Sequence, residues 1–263
     1  MDFGLKGKTA MVAAASQGLG FAAAQELGRE GANLVICSRS KSNIEAAARR
    51  IHESTGAEVL PLVADVRETG QIDELIKKAQ QQFNQVDILV TNAGGPPAGF
   101  FDDISDERWL AGVELTLLST IRLIRCVLPQ MKKNNWGRVV NILSISVKQP
   151  ISGLLVSNTL RPGLVGLAKS LADEVAATGI TVNNVCPGWT KTERVQELLL
   201  ARADKQGVTP ERAGAEIVAG IPMQRMGEPK ELAALIAFLC SDRASYVTGT
   251  TIPVDGGAYQ GLM

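Results

Sequence analysis

The chain has 263 residues, with 27 basic against 27 acidic side chains, so its formal net charge at neutral pH is zero. That balance removes the electrostatic footprint of a nucleic-acid binder or of a surface that tracks anionic lipid, so neither nucleic acid nor membrane is an expected partner. With 45% hydrophobic residues, a chain of this length buries about three-quarters of its unfolded surface and needs no disulfide staple.

Apolar strand-like runs alternate with helical patterns along the whole chain. Residues 9–14 read as a first strand, 21–30 as a helix, 33–37 as a second strand and 44–53 as a second helix. The rhythm continues with strand 58–63, helix 72–83, strand 87–91, a long helical stretch at 109–131, strand 138–143, helix 164–177 and strand 181–186. Continuous apolar strands separated by helices imply a parallel sheet covered on both faces, an α/β doubly wound architecture. No Pro/Ser-rich linker, charge block or repeat divides the chain, so residues 1–263 read as a single domain. The segment 190–222 is longer, charged and helix-forming, and it interrupts the alternation before helix 231–240 and a last strand at 250–254.

Scarce residues restrict the chemistry. Cys37, Cys126, Cys186 and Cys240 form no C-x-x-C pair and have no histidine near them in sequence, so reduced thiols are expected rather than a metal site or disulfides. The single histidine, His52, lies among charged residues on a helix and reads as a solvated imidazole. The first nine residues lack the apolar stretch of a secretory signal, and the longest apolar run, 232–240, is too short to span a bilayer, which points to a cytoplasmic protein.

The first strand-to-helix junction runs Ala14-Ala15-Ser16-Gln17-Gly18-Leu19-Gly20. Glycines at such a turn let backbone amides approach a pyrophosphate at a helix N-terminus, although they equally permit tight packing. The second strand ends in Ser38-Arg39, where an NAD-selective site would place an acidic residue for the ribose hydroxyls. A neutral serine followed by a guanidinium removes repulsion against a 2′-phosphate and supplies a partner for it, so NADP(H) is preferred over NAD(H).

Taken together, these segments resemble the short-chain dehydrogenase/reductase family, with the 3-oxoacyl-carrier-protein reductase type as the nearest likeness of scaffold. The resemblance rests on 12–20, Gly31-Ala32 leading to Arg39, Asp65-Val66, Asn92-Ala93-Gly94, Gly137-Arg138-Val139-Val140-Asn141-Ile142, Gly179-Ile180-Thr181-Val182-Asn183 leading to Pro187-Gly188, and Thr248-Gly249 with Asp255-Gly256-Gly257. It implies a Rossmann fold with strand order 3-2-1-4-5-6-7, residues 190–222 as a substrate-covering lid, and a homodimer or homotetramer. It also implies that Asp65 and Val66 hold the adenine, that Asn92, Ala93 and Gly94 line the cofactor, and that Pro187, Gly188, Thr190 and Thr192 approach the nicotinamide and phosphates.

Active members of that family carry a serine, a tyrosine and a lysine spaced S-x12-Y-x3-K, with an asparagine on the preceding long helix. On an ungapped register those positions fall on Ser144, Ser157, Arg161 and Thr116, and the first glycine of the turn is Ala14. A serine hydroxyl is a far weaker acid than a tyrosine, and Arg161 stays protonated and relays no proton, although the resemblance still assigns it to the cofactor as a bond to the nicotinamide ribose. Pro162 follows Arg161 and disfavours the α region there. Lys148, Tyr246 and Tyr259 are the remaining candidates for a proton source, Gly94-Gly95-Pro96-Pro97 shapes the mouth of the site, and Val195, Leu198 and Leu199 sit at helical spacing where an apolar substrate would meet the lid. The reading is an NADP(H)-linked oxidoreductase of a carbonyl/alcohol pair acting on a small molecule. The alternatives are a redox-inactive NADP(H) sensor or scaffold and, further off, a lyase on the same fold.

Overall fold

A computed structural model describes residues 2–262; the two terminal methionines of the expected 1–263 domain lie outside the described residues. Seven parallel strands form one sheet in the order β3-β2-β1-β4-β5-β6-β7, the order the family resemblance implies. The strands are β1 (Thr9–Val12), β2 (Asn33–Ser38), β3 (Val59–Val63), β4 (Ile88–Thr91), β5 (Gly137–Ile142), β6 (Ile180–Pro187) and β7 (Thr251–Val254).

The inner strands β1, β4, β5 and β6 are buried along their whole length, while the edge strands β3 and β7 are mostly half-buried. This gradient explains the unbroken apolar runs seen in the sequence, because an inner parallel strand has helices on both faces. Helices α1 (Gly18–Arg29), α2 (Lys41–Thr55) and α9 (Pro229–Cys240) cover one face. Helices α3 (Thr69–Phe83), α5 (Ser119–Asn134) and α6 (Leu155–Val175) cover the other.

One polar line crosses this apolar sheet. Thr91, Asn141, Asn184 and Thr251 are direct partners across β4, β5, β6 and β7. Thr91 Oγ1 donates to Asn141 Oδ1 at 2.7 Å, Asn141 Nδ2 donates to Asn184 Oδ1 at 2.9 Å, and Asn184 Nδ2 donates to Thr251 Oγ1 at 3.0 Å. Because buried amides tolerate no mispairing, this ladder pins the register of four strands.

The largest difference from the sequence reading is at α6, which begins at Leu155 and not near residue 164, and carries Pro162 in its interior. Val156, Ser157, Arg161, Leu164, Ala168, Leu171 and Val175 form one buried stripe. That stripe holds the first two turns helical despite the amide that Pro162 lacks, an instance of packing overriding local preference. The long helical stretch likewise spans α4 (Asp106–Gly112), a π-helical segment (Val113–Leu118) and α5 without a break. The charged segment 190–222 forms α7 (Glu193–Gln206) and α8 (Pro210–Ala219).

Replacing Asn141 by leucine strands the Thr91 hydroxyl and the Asn184 carbonyl oxygen without partners. The expected cost is about 2–4 kcal/mol, two buried polar groups at the usual penalty, seen as a lower denaturation midpoint in urea.

Candidate active site

The site grows out of the place where the strand order reverses, between β1 and β4. After β1 the Ala13 amide bonds to the Val90 carbonyl of β4, whereas the Ala15 amide bonds to the Cys37 carbonyl of β2. The chain therefore straddles the gap between two strands and opens a crevice at their carboxyl ends, where doubly wound sheets take ligands. Ala14, at the crest of the turn, has φ +48°, a left-handed conformation that costs a side-chain-bearing residue about 1 kcal/mol and suits glycine. Asn92 Nδ2 donates to the Ala14 carbonyl at 3.2 Å and holds this strained turn from β4.

Helix α1 then starts at Gly18 and packs closely on the turn. A Cβ at Gly20 would lie 2.6 Å from the Ala14 carbonyl oxygen and 2.8 Å from Asn92 Nδ2. Gly20 is a packing residue that brings the helix N-terminus to the crevice, and it does not itself line it. Gly18 does line it, under the Thr192 methyl and the Glu193 carboxylate at the start of α7. Ser16, Gln17 and Leu19 complete this wall.

One cleft of about 610 Å³ runs from here along the carboxyl edge of the sheet. At one end it is walled by Ser38, Arg39, Ser40, Asn43, Ala64, Asp65 and Val66. Arg39 is exposed, and its guanidinium makes no hydrogen bond to any described residue, while its charge contributes to the environment of Asp65. Arg67 clamps both oxygens of Asp65, with Nη2 to Oδ2 at 2.6 Å, and its guanidinium holds that carboxyl below the usual carboxylate range. The middle is walled by Asn92, Ala93, Gly94, Pro187, Gly188, Thr190 and Thr192. Thr192 also caps α7, its hydroxyl oxygen accepting from the Val195 amide at 3.3 Å.

The far end holds three linked serines. Ser144, just past β5, accepts from the Ser146 amide at 3.1 Å through Oγ, and the Ser146 and Ser157 hydroxyls share a hydrogen bond at 3.0 Å. One turn further along α6, Arg161 is nine-tenths buried. Its Nη1 donates to the carbonyls of Ile142 (3.2 Å) and Leu143 (2.7 Å), and its Nη2 to that of Gly94 (3.1 Å). Its Nε has no partner among the described residues. Burial pushes the Arg161 pKa down to about 10, so the side chain is still a cation at neutral pH.

Ser144, Ser157 and Arg161 thus share the cleft wall. Thr116 does not: it is buried in the π-helical segment with a hydroxyl that finds no partner among the described residues, and its neighbour Leu115 faces the cleft. Lys148 and Tyr259 lie together outside the lining, the ammonium 5.9 Å from the ring centroid, and Tyr246 is fully exposed. His52 is exposed, with Nδ1 on the Ala57 carbonyl. All four cysteines are free; Cys37, Cys186 and Cys240 are buried, and burial raises their pKa values to about 11, 11 and 12, whereas Cys126 is only partly buried. No cluster of metal-ligating side chains and no helix long and apolar enough to cross a membrane occurs among the described residues.

Several lining residues carry no signal in the sequence. Asn43 reaches the cleft from the first turn of α2, and Ile151, Leu154, Trp189 and Arg194 reach it because loops and α7 fold over it. Val195 and Leu198 line it as expected, whereas Leu199 turns toward Gly214 of α8.

The family model described as "Enoyl-(Acyl carrier protein) reductase" matches residues 13–259. The chain belongs to the short-chain dehydrogenase/reductase family. It is 35% identical over 257 residues to D-beta-hydroxybutyrate dehydrogenase of Cupriavidus necator, covering 96% of this chain and 98% of the relative. It is 37% identical over 254 residues to the 3-oxoacyl-(acyl-carrier-protein) reductase of Escherichia coli strain K12, covering 97% and 98%. Among solved structures it is similar to L-sorbose reductase from Gluconobacter frateurii complexed with NADPH and L-sorbose, with a TM-score of 0.94 at 31% identity over the whole of both chains.

Substituting Ala14 by glycine relieves the left-handed strain at the turn. The expected gain is about 1 kcal/mol, or roughly 2–4 °C in thermal midpoint for a chain of this size, read by calorimetry.

Proposed function

We propose that the protein is an NADP(H)-linked reductase or dehydrogenase of a carbonyl/alcohol pair. The observation that carries this reading is the continuity of the cleft, which joins Arg39, the α1 N-terminus and the hydroxyls of Ser144 and Ser157 in one space. The residues suit a dinucleotide: Gly18 brings the backbone at the α1 N-terminus to the cleft, beside Thr192 and Glu193, and Arg39 has no hydrogen-bonded partner among the described residues to lose when it meets a 2′-phosphate. The L-sorbose reductase that shares this fold is complexed with NADPH, which supports the same cofactor here. The bound cofactor would supply or accept the hydride.

The chain's own residues have the remaining tasks. Ser144 Oγ accepts from the Ser146 amide, so its proton is free to donate to a substrate carbonyl oxygen and polarise it. Ser157, which lines the cleft and is held by the buried Ser146 hydroxyl, stands where a tyrosine supplies the acid in the family and offers a second hydroxyl to the substrate oxygen. Arg161 is a fixed cation beside these groups and stabilises negative charge developing on the substrate oxygen without exchanging a proton. Helices α7 and α8 act as the lid. Loss of a positioned general acid typically costs 10²- to 10⁴-fold in rate, so slow turnover is expected.

A second reading, an NADP(H)-binding sensor without turnover, is favoured by one observation: neither tyrosine nor the histidine faces the cleft. Fluorescence titration with NADPH followed by absorbance at the nicotinamide band over a panel of ketones and quinones separates the two. Tight binding with no turnover on that panel supports the sensor; no binding sinks both.

Replacing Arg39 by alanine should weaken NADPH by about tenfold or more while changing NADH by less than about twofold, and equal losses would refute the 2′-phosphate assignment. The double substitution Ser157→Tyr with Arg161→Lys should raise carbonyl reduction by about 10²-fold if these are the family's catalytic positions, whereas a folded but unimproved variant counts against them.

A further inference from the structure

Beyond the hydride chemistry, the substrate end of the cleft has an unusual charge arrangement. Arg161 is buried with three backbone carbonyls for partners, and no carboxylate among the described residues pairs with it. A second guanidinium, that of Arg194 in the first turn of α7, reaches the same loop. Its Nη2 donates to the Pro96 carbonyl at 3.1 Å, and a Cβ at Gly95 would lie 2.7 Å from its Nε. Gly95 therefore leaves the space that Arg194 fills, while Arg161 holds Gly94 next door. The two cations are near enough for Arg194 to disfavour charge on Arg161.

Arg161, with no carboxylate partner, leaves a positive charge on this loop, and Arg194 adds a second that only the exposed Glu197 offsets. Leu115, Ile145, Ile151, Leu154, Val195 and Leu198 form the apolar walls of the cleft here. Of the three carboxylates that face the cleft, Asp65 is held by Arg67 at the Arg39 end. Glu193 lies over Gly18, on the pyrophosphate side. Glu197 reaches Arg194 Nη1 at 3.2 Å with its own side chain two-thirds exposed. An exposed ion pair of this kind is worth little, so a ligand anion can replace it at small cost. A planar guanidinium with a weakly held donor edge matches a carboxylate.

We infer that the cleft takes a carbonyl substrate with an apolar body and a carboxylate, and that Arg194 binds that carboxylate by displacing Glu197. This rests on the reductase reading for the carbonyl, but the anion anchor is testable without turnover. Val195 and Leu198 on the same helix then lie against the apolar body, so one element reads both halves of the substrate.

The probes are 2-oxo-4-phenylbutanoate and its ethyl ester, which share the apolar body and the carbonyl and differ in charge. Binding of each is followed by thermal shift and fluorescence titration, with and without NADP⁺, and NADPH consumption is measured alongside. Wild type should bind the acid about tenfold more tightly than the ester, as a charge-assisted pair requires. Arg194→Leu should abolish that preference by weakening the acid alone, and Arg194→Lys should restore part of it. Glu197→Gln, which removes the competing carboxylate, should tighten the acid a few-fold, an effect that a purely loop-supporting Arg194 would not produce.

Equal binding of acid and ester by wild type overturns the inference, as does binding of neither. Equal losses for both ligands in Arg194→Leu overturn it too, because the arginine would then only brace Pro96. If the acid preference is present and follows Arg194 but no NADPH is consumed, the anchor stands and the reductase reading fails on this substrate.

Discussion

Arg161 joins three parts of the molecule that lie far apart along the chain. Its guanidinium takes the last carbonyls after β5 and the carbonyl of Gly94 after β4, and its backbone lies in the second turn of α6. Two adjacent strand ends and the helix that crosses them are thereby locked at the carboxyl edge of the sheet. A lysine has a single ammonium and cannot reach carbonyls in that spread with a planar fork. The three carbonyl bonds thus define what the Arg161 side chain does in this fold. It is a structural clamp carrying a charge.

The clamp also accounts for the start of α6. In sequence, Arg161-Pro162 reads as a place where a helix should begin or break. In the folded chain the buried guanidinium and the Val156–Ser157 pair on the same stripe hold the preceding turns in place. Ser157 and Arg161, four residues apart, consequently share a helix face. Their joint presence in the cleft depends on this tertiary fixing and not on local propensity.

Much of the architecture is legible in the sequence because inner parallel strands have a strong signature. The runs at 33–37, 138–143 and 181–186 are apolar or amide-bearing nearly throughout, and each matches an observed strand to within a residue. The turn at 14–20 is legible for a similar reason: a strand-helix junction that must be both tight and close to the helix N-terminus selects glycine, as Gly18 and Gly20 show. The contribution of α7 is not legible. Arg194 sits in a charged helix where every second residue could be a solvated one, and its meaning comes from Gly95 and Pro96, nearly a hundred residues away. Thr116 fails in the opposite sense. Its place in the register is readable, but a π-helical turn rotates side chains relative to an α-helix, and Leu115 takes the cleft.

The edge strands shape how the molecule meets others. β3 and β7 each carry a proline at mid-strand, Pro61 and Pro253. The Leu34 amide bonds to Glu58 and the Ala64 amide to Ser38, so the even-numbered amides of β3 face inward and Pro61 sits on the outer rim. The bonds from Asn184 to Thr250 and from Gly188 to Val254 place Pro253 the same way. Each border of the sheet thus lacks a donor where a foreign strand would need one, which blunts both rims against edge-to-edge polymerisation. The two prolines disfavour an eighth strand at either rim and favour side-chain contacts over an extended ladder wherever another chain approaches.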